Sequence, residues 1–350
     1  MTRQRTGRTL LTAAVVMTAT LIGAACAPPP TISSSTQFVN PCTTQSGISC
    51  DFVFQHAVTV PDGSTTRHQL VVMLNGTGAN PETHFKLNSV LAAKGFHVIN
   101  LRYDSAIGTS SACPNDVAIA DPECFRKFRA EIVVGENVPD PFGLVEDSPA
   151  LTVTAPNSVT NRLLQLVRYL AVNSPSAGWN DYLQHAGGAC DSPSQNTDPC
   201  DIDWSKVIVM GHSLGAGVAL YLAKLHHVAR VAMLSGPVDS YVQDGATVTA
   251  PWISDGQFAT PATNMFALEH TGDYALAAET TALDALGLDP TPVSVDSNAG
   301  PYANAQRLTT SITPACVTDL YGPHNSTAQD ACTPGTPPEL SPAWTYLAGA

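Results

Sequence analysis

An apolar, mostly β-branched run, Val207-Ile-Val-Met210, leads into Gly211-His-Ser-Leu-Gly215, and an apolar stretch of helical composition, Leu214 to Leu225, follows. A G-x-S-x-G pentapeptide in that setting predicts a strand that reverses sharply into a helix with the serine at the tip. Gly211 and Gly215 leave room for the reversal, so the hydroxyl of Ser213 projects clear of the strand ladder. A strand this apolar has to be buried in a sheet, and the helix after it has to pack on that sheet, which commits the chain to layered α/β architecture. The same turn nominates Ser213 as a nucleophile for a carbonyl carbon. Without the flanking strand and helix it would be a turn of small residues and nothing more.

The rest of the chain alternates in the same way. Phe52 to Val60, His68 to Leu74, Gly95 to Tyr103, Val228 to Leu234 and Met265 to Leu268 read as strands, and Pro81 to Lys94 reads as a helix. Ser158 to Val172 carries Leu163, Leu164, Val167 and Leu170 at helical spacing behind a serine cap. This βαβα succession predicts one domain with a mostly parallel central sheet flanked by helices. Two segments break the rhythm, Asp104 to Asn157 and Trp179 to Asp203, each rich in Pro, Asp, Ser and Gly and each holding one cysteine pair. They are expected to be surface insertions stapled by disulfides, serving either solubility or the shape of the site's mouth.

At the start, Arg3, Arg5 and Arg8 precede an apolar stretch from Leu10 to Ile22 and small residues up to Ala25-Cys26, the layout of an export signal over residues 1–25. That stretch is too short to span a bilayer. Leu21-Ile-Gly-Ala-Ala-Cys26 also resembles a bacterial lipobox, which implies a lipid on Cys26 and a membrane tether; ordinary cleavage and release is the alternative. Residues 26–41, rich in Pro, Ser and Thr, read as a flexible tether, and residues 42–350 as the folded domain. The chain has nine cysteines, and setting Cys26 aside leaves an even set grouped as Cys42/Cys50, Cys113/Cys124, Cys190/Cys200 and Cys316/Cys332. Four short-loop disulfides are the expectation for an exported chain, with a metal site as the competing reading. Losing the leader takes the formal charge from −13 to −16. Such an acidic chain is ill suited to nucleic acid or anionic membrane surfaces.

A serine hydroxyl needs a histidine base, and the base needs a carboxylate to hold its tautomer. For a nucleophile on this kind of turn the chain order is Ser, acid, His. Of the histidines beyond Ser213, His324 follows the loop-forming Gly322-Pro323 and is the expected base, while His226 and His227 end the helix behind the turn and are expected to cap its carbonyls. His212 is expected to be structural. Asp273, in the loop after the strand Met265-Phe-Ala-Leu-Glu-His270, is the first choice of acid and Asp239 the runner-up, with Glu269 pointing into or across the strand. An oxyanion needs two backbone donors. Leu214, after the nucleophile, supplies one; Asn75-Gly-Thr-Gly78 supplies the other, from Thr77 or alternatively Gly78.

With these pieces in place the chain, from about Cys42 to its end, resembles the α/β-hydrolase superfamily. More narrowly it resembles a little-characterised group of secreted bacterial α/β-hydrolases. The residues that carry the likeness are Leu74-Asn-Gly-Thr-Gly-Ala-Asn-Pro81, Gly95-Phe-His-Val-Ile-Asn-Leu-Arg-Tyr103, the Cys113/Cys124 insertion, Asn161-Arg-Leu163, Gly211-His-Ser-Leu-Gly215 and the late His324. The resemblance implies the Ser213, Asp273 and His324 triad that chain order already suggests. Motif and resemblance together point to hydrolysis of carboxylic esters, small or polymeric; the sequence carries no nucleotide loop, metal motif or cofactor signature and acyl transfer needs none, and a monomer is expected. An acyltransferase or peptidase using the same acyl-enzyme, or a non-catalytic surface binding protein on a hydrolase fold, are the alternatives. The stretch from Pro237 to Pro261 is short for a lid, and Trp252 and Phe258 are set either to wall an acyl pocket or to pack beneath a loop.

Overall fold

Apolar residues on both faces of the central strands require cover on both sides, and the chain supplies it. The computed structural model describes residues 36–51, 53–61, 65–143, 146–185, 188–190, 200–316 and 320–350. The expected leader, the tether up to residue 35, Cys26 and Phe52 lie outside these.

Nine strands form one sheet: β1 (Thr36–Val39), β2 (His56–Thr59), β3 (Leu70–Leu74), β4 (His97–Asn100), β5 (Val207–His212), β6 (Arg230–Leu234), β7 (Met265–His270), β8 (Val293–Ser294) and β9 (Arg307–Thr310). Their spatial order is β1-β2-β4-β3-β5-β6-β7-β9-β8. β2 runs antiparallel to both its neighbours, and every pairing from β4 onward is parallel. Alternate side chains serve opposite faces. Val72, Leu74 and Val209 enter one apolar cluster; Val71, Met73, Ile208 and Met210 enter the other. β1 lies inside the segment that the sequence reads as tether, so the ordered body begins ahead of Cys42.

Seven helices matter here: α1 (Phe85–Ala92), α2 (Cys124–Val134), α3 (Val159–Asn173), α4 (Leu214–Leu225), α5 (Leu276–Ala285), α6 (Gly322–Ser326) and α7 (Ser341–Leu347). α3 has the predicted serine cap, with the Ser158 hydroxyl accepting from the Asn161 amide. The strand order reverses between β3 and β5, and a crevice opens outside the carboxyl ends of strands at such a reversal. The loop after β3 and the turn after β5 both end there.

Both expected insertions need correction. Asp104 to Asn157 is no surface excursion: it contains α2, whose Phe125, Phe128, Ile132 and Val133 are buried in the same cluster as α4. Its polar composition conceals an amphipathic helix. Trp179 to Asp203 is anchored by buried Trp179 and Tyr182, and the Tyr182 hydroxyl bonds His97 Nδ1 at 2.7 Å and donates to Gln69 O at 3.3 Å, at the starting ends of β4 and β3. Tyr182 therefore anchors at the end of the sheet away from the crevice. The cysteines pair in their sequence groups, Cys42–Cys50, Cys113–Cys124, Cys190–Cys200 and Cys316–Cys332, which fits an extracellular, oxidising setting. Among the described residues no helix is long and apolar enough to cross a membrane.

Arg129 of α2 is wholly buried against α4. Its guanidinium forks onto Asp239, donating through Nε at 3.0 Å and through Nη2, and Nη1 donates to the Leu214 carbonyl at 2.8 Å. A Cβ at Gly217 would overlap that guanidinium, so glycine makes the channel for it. Removing one member of a buried pair strands the other's charge. Arg129→Met is expected to lower the unfolding free energy by about 3–5 kcal/mol, and Arg129→Met with Asp239→Leu to recover most of it, as read by urea denaturation.

Candidate active site

The turn after β5 takes the predicted shape. Ser213 has φ 56° and ψ −119°, a left-handed backbone that a residue with a side chain adopts only when its surroundings enforce it. The enforcement is visible. A Cβ at Gly211 would overlap the Gly215 carbonyl, and one at Gly215 would overlap the Leu74 carbonyl, so strand, turn and helix touch backbone to backbone. The Ser213 amide also donates to Leu234 O at 2.9 Å, tying the turn to the end of β6.

Across the crevice, His324 lies on α6, buried at 3% exposure, and its Nδ1 meets Asp273 Oδ2 at 2.8 Å. Its Nε2 is buried and has no protein partner among the described residues. Asp273 stands just past β7 and also accepts from the Ala275 amide at 2.9 Å. Burial pushes the Asp273 carboxyl up, but the bond and charge of His324 and then the Ala275 amide outweigh it and hold the group below the usual aspartate range. An ionised Asp273 accepts the Nδ1 proton, which leaves the Nε2 lone pair of a neutral His324 free.

His212 clamps His324, its Nε2 donating to the His324 carbonyl at 3.1 Å. Burial, then His324 and His84, push the His212 imidazole well below its ordinary value, so it stays neutral. That is the structural role expected of it. The carboxylate of Asp239, the runner-up, is instead occupied by Arg129 and by Trp252 Nε1, at 3.1 Å.

Ser213, His324 and Thr77 share one cavity of about 420 Å³ with Tyr274, Tyr321 and Asn325. Leu214 opens α4, and its amide is one of the first four that have no acceptor inside a helix. In the loop after β3, Gly78 donates its amide to Ser105 O at 2.8 Å and Ala79 donates to Gly76 O at 3.1 Å, so the Gly78 amide is already used. Asn75 braces this loop from within, its Nδ2 donating to Ala79 O at 2.7 Å and Ser105 Oγ at 2.9 Å.

No protein-family profile matches the chain, and no curated protein matches it. Among solved structures it is similar to the crystal structure of esterase B from Lactobacillus rhamnosis inhibited by a tributyrin phosphonate. The identity is 11% and the TM-score 0.42, with 91% of this chain and 87% of that chain covered.

Several functional neighbours escape sequence reasoning. Tyr274 and Tyr321, 49% and 51% exposed, meet edge to face at 5.2 Å, and Tyr274 leans on the His324 ring at 5.0 Å. They wall the cavity, not Trp252 and Phe258. Trp252 is only 1% exposed and packs against Tyr221, so the packing alternative holds for it. His226 does not cap α4 with its ring, which stacks on Trp204 at 4.1 Å, and burial lowers its pKa to about 4. As for metals, Cys190 and Cys200 near His185 are joined to each other and offer no thiolate. The other ligand-like group, Asp273, Glu279 and His324, contains the hydrogen-bonded Asp273–His324 pair.

The hydrogen bond between Asp273 and His324 gives a direct spectroscopic expectation. A proton on Nδ1 facing a buried carboxylate resonates far downfield; that signal is expected in the wild type and absent in Asp273→Ala, by proton NMR of histidine-labelled protein.

Proposed function

We propose that this chain is an exported serine esterase of the α/β-hydrolase type, with Ser213 as nucleophile, His324 as base and Asp273 as the acid that orients it. One observation carries the reading. A strained serine shares a cavity with a buried histidine whose Nδ1 is held by a carboxylate and whose Nε2 is unpartnered.

The chemistry follows from that arrangement. Nε2 of His324 takes the proton from Ser213 Oγ as the oxygen adds to the ester carbonyl carbon. The carbonyl oxygen becomes an oxyanion, stabilised by the amides of Leu214 and Thr77; the engagement of Gly78 with Ser105 favours Thr77 over Gly78. The imidazolium then returns its proton to the leaving alkoxide, the alcohol departs, and the acyl group stays on Ser213. Water, deprotonated by the same His324, attacks the acyl carbon and frees the acid and the serine. Asp273 remains ionised throughout and stabilises each imidazolium.

The cavity favours short acyl groups. It is open, the residues that line it include Asn80, Thr83, Asn325 and Gln329, and its aromatic surface includes two half-exposed tyrosines. A lipid on Cys26 would hold this monomeric enzyme at the cell envelope, where four disulfides are at home.

Hydrolysis of p-nitrophenyl esters from acetate to palmitate is expected to peak at the short end. Ser213→Ala or His324→Ala is expected to lower kcat by about 10⁶-fold, and Asp273→Asn by about 10⁴-fold. A folded wild type that hydrolyses none of the series and resists a fluorophosphonate probe would overturn the reading.

A further inference from the structure

Behind the Asp273 and His324 pair lies a second carboxyl group that the mechanism above does not use. Glu279, in the first turn of α5, is 0% exposed, and neither of its oxygens meets a hydrogen-bond donor among the described residues. Its Oε1 is 3.7 Å from His324 Nδ1. One oxygen of Glu279, one of Asp273 and a ring nitrogen of His324 all lie within 4.8 Å of one another.

Two carboxyl groups so close, in a site without water-facing surface, do not both ionise. Which one keeps the proton is decided by donors. Asp273 receives two, His324 Nδ1 at 2.8 Å and the Ala275 amide at 2.9 Å, whereas Glu279 receives none. A buried carboxylate without a donor is far costlier than a buried carboxylic acid, so the proton belongs on Glu279. Glu279 is then an O–H donor that needs an acceptor, and the Asp273 carboxylate stands beside it.

We propose that Glu279 is a positioning residue, a neutral carboxylic acid that donates its proton to Asp273 and so fixes the carboxylate that orients His324. The proposal rests on the triad reading above.

The surroundings are consistent with this. Burial first, then the charges of Asp273 and Glu269, hold the Glu279 carboxyl well above the usual glutamate range. Glu269, on β7, is itself paired with Arg307 of β9 at 3.3 Å. The segments Ala246–Thr249 and Pro251–Ser254, packed against α5, carry no charged side chain, and Tyr274 beside Asp273 holds its phenol proton, its pKa pushed up to about 12 by burial and the Asp273 charge. Among the described residues Glu279 thus has no Lys or Arg partner of its own. Sharing a proton with Asp273 spreads that carboxylate's charge, makes His324 a weaker base, and keeps the imidazole free further into the acid range.

Three full-length proteins test this: wild type, Glu279→Gln, which keeps a donor, and Glu279→Leu, which removes it. In histidine-labelled NMR titrations the His324 midpoint is expected to be nearly unchanged in Glu279→Gln and raised by about one pH unit in Glu279→Leu. The acid limb of kcat/KM on a short-chain ester is expected to move with it. Wild-type-minus-Gln infrared spectra at neutral pH are expected to show the carbonyl stretch of a protonated carboxylic acid. The sign of the stability effect is also fixed. A folded-state pKa raised above the unfolded glutamate value of about 4.3 penalises folding above that pH, so Glu279→Gln is expected to melt higher than wild type at mildly alkaline pH with little gain at acid pH. That measurement, like the infrared one, does not require the Leu variant to fold. Absence of the protonated-acid band, or a His324 midpoint unmoved in a folded Glu279→Leu, would refute the role. Because NMR and infrared need no substrate, a wild type without esterase activity would sink the functional reading while these spectra still judged Glu279.

Discussion

The backbone reversal at Ser213 is the constraint that the surrounding structure is arranged to hold. A non-glycine residue with positive φ costs on the order of 1–3 kcal/mol, and it persists only where its neighbours over-determine it. Here β5 is buried between β3 and β6, the glycines on either side bring α4 into backbone contact with the ends of β3 and β5, and β6 accepts the Ser213 amide. Arg129 completes the fixture from beneath by gripping the carbonyl of Leu214. The residue that follows Ser213 is thus held through its carbonyl at the very start of the helix.

Histidine chemistry divides sharply over a few ångströms. His84 and His212 are buried without carboxylates, and burial holds them neutral, His84 at about 3. His324 alone of this cluster faces an acid. Its ring lies 5.0 Å from that of His212, so the two imidazoles share an environment yet differ in partner, one donating to backbone and the other meeting a carboxylate. The difference is made entirely by what lies behind each ring.

Much of this was legible in the residues, because local chemistry sets it. Strands buried on both faces announce themselves as unbroken apolar runs, the Ser213 turn needs glycine at defined offsets, and the short cysteine spacings left neighbouring partners within reach. What stayed hidden depends on contacts between distant segments. α2 reads as polar because Arg126, Lys127 and Arg129 lie among its apolar residues, and nothing in the local pattern reveals that Arg129 has a buried acid 110 positions away. Tyr274 and Tyr321 belong to separate loops and become a wall only when those loops meet. Glu279 looks like an ordinary acidic residue opening a helix, where such residues are common for reasons of dipole alone. Only the fold shows that it is sealed against another acid.

The bond between Cys316 and Cys332 closes a ring of chain around His324. Ser213 is built into continuous strand and helix, whereas His324 rides on this ring, whose described residues include the short helix α6. Cross-linking removes conformational freedom from the unpaired chain. Oxidation therefore narrows the search that brings His324 to the crevice beside Ser213. The oxidising setting that favours the bond therefore also favours the seating of His324 in its cavity.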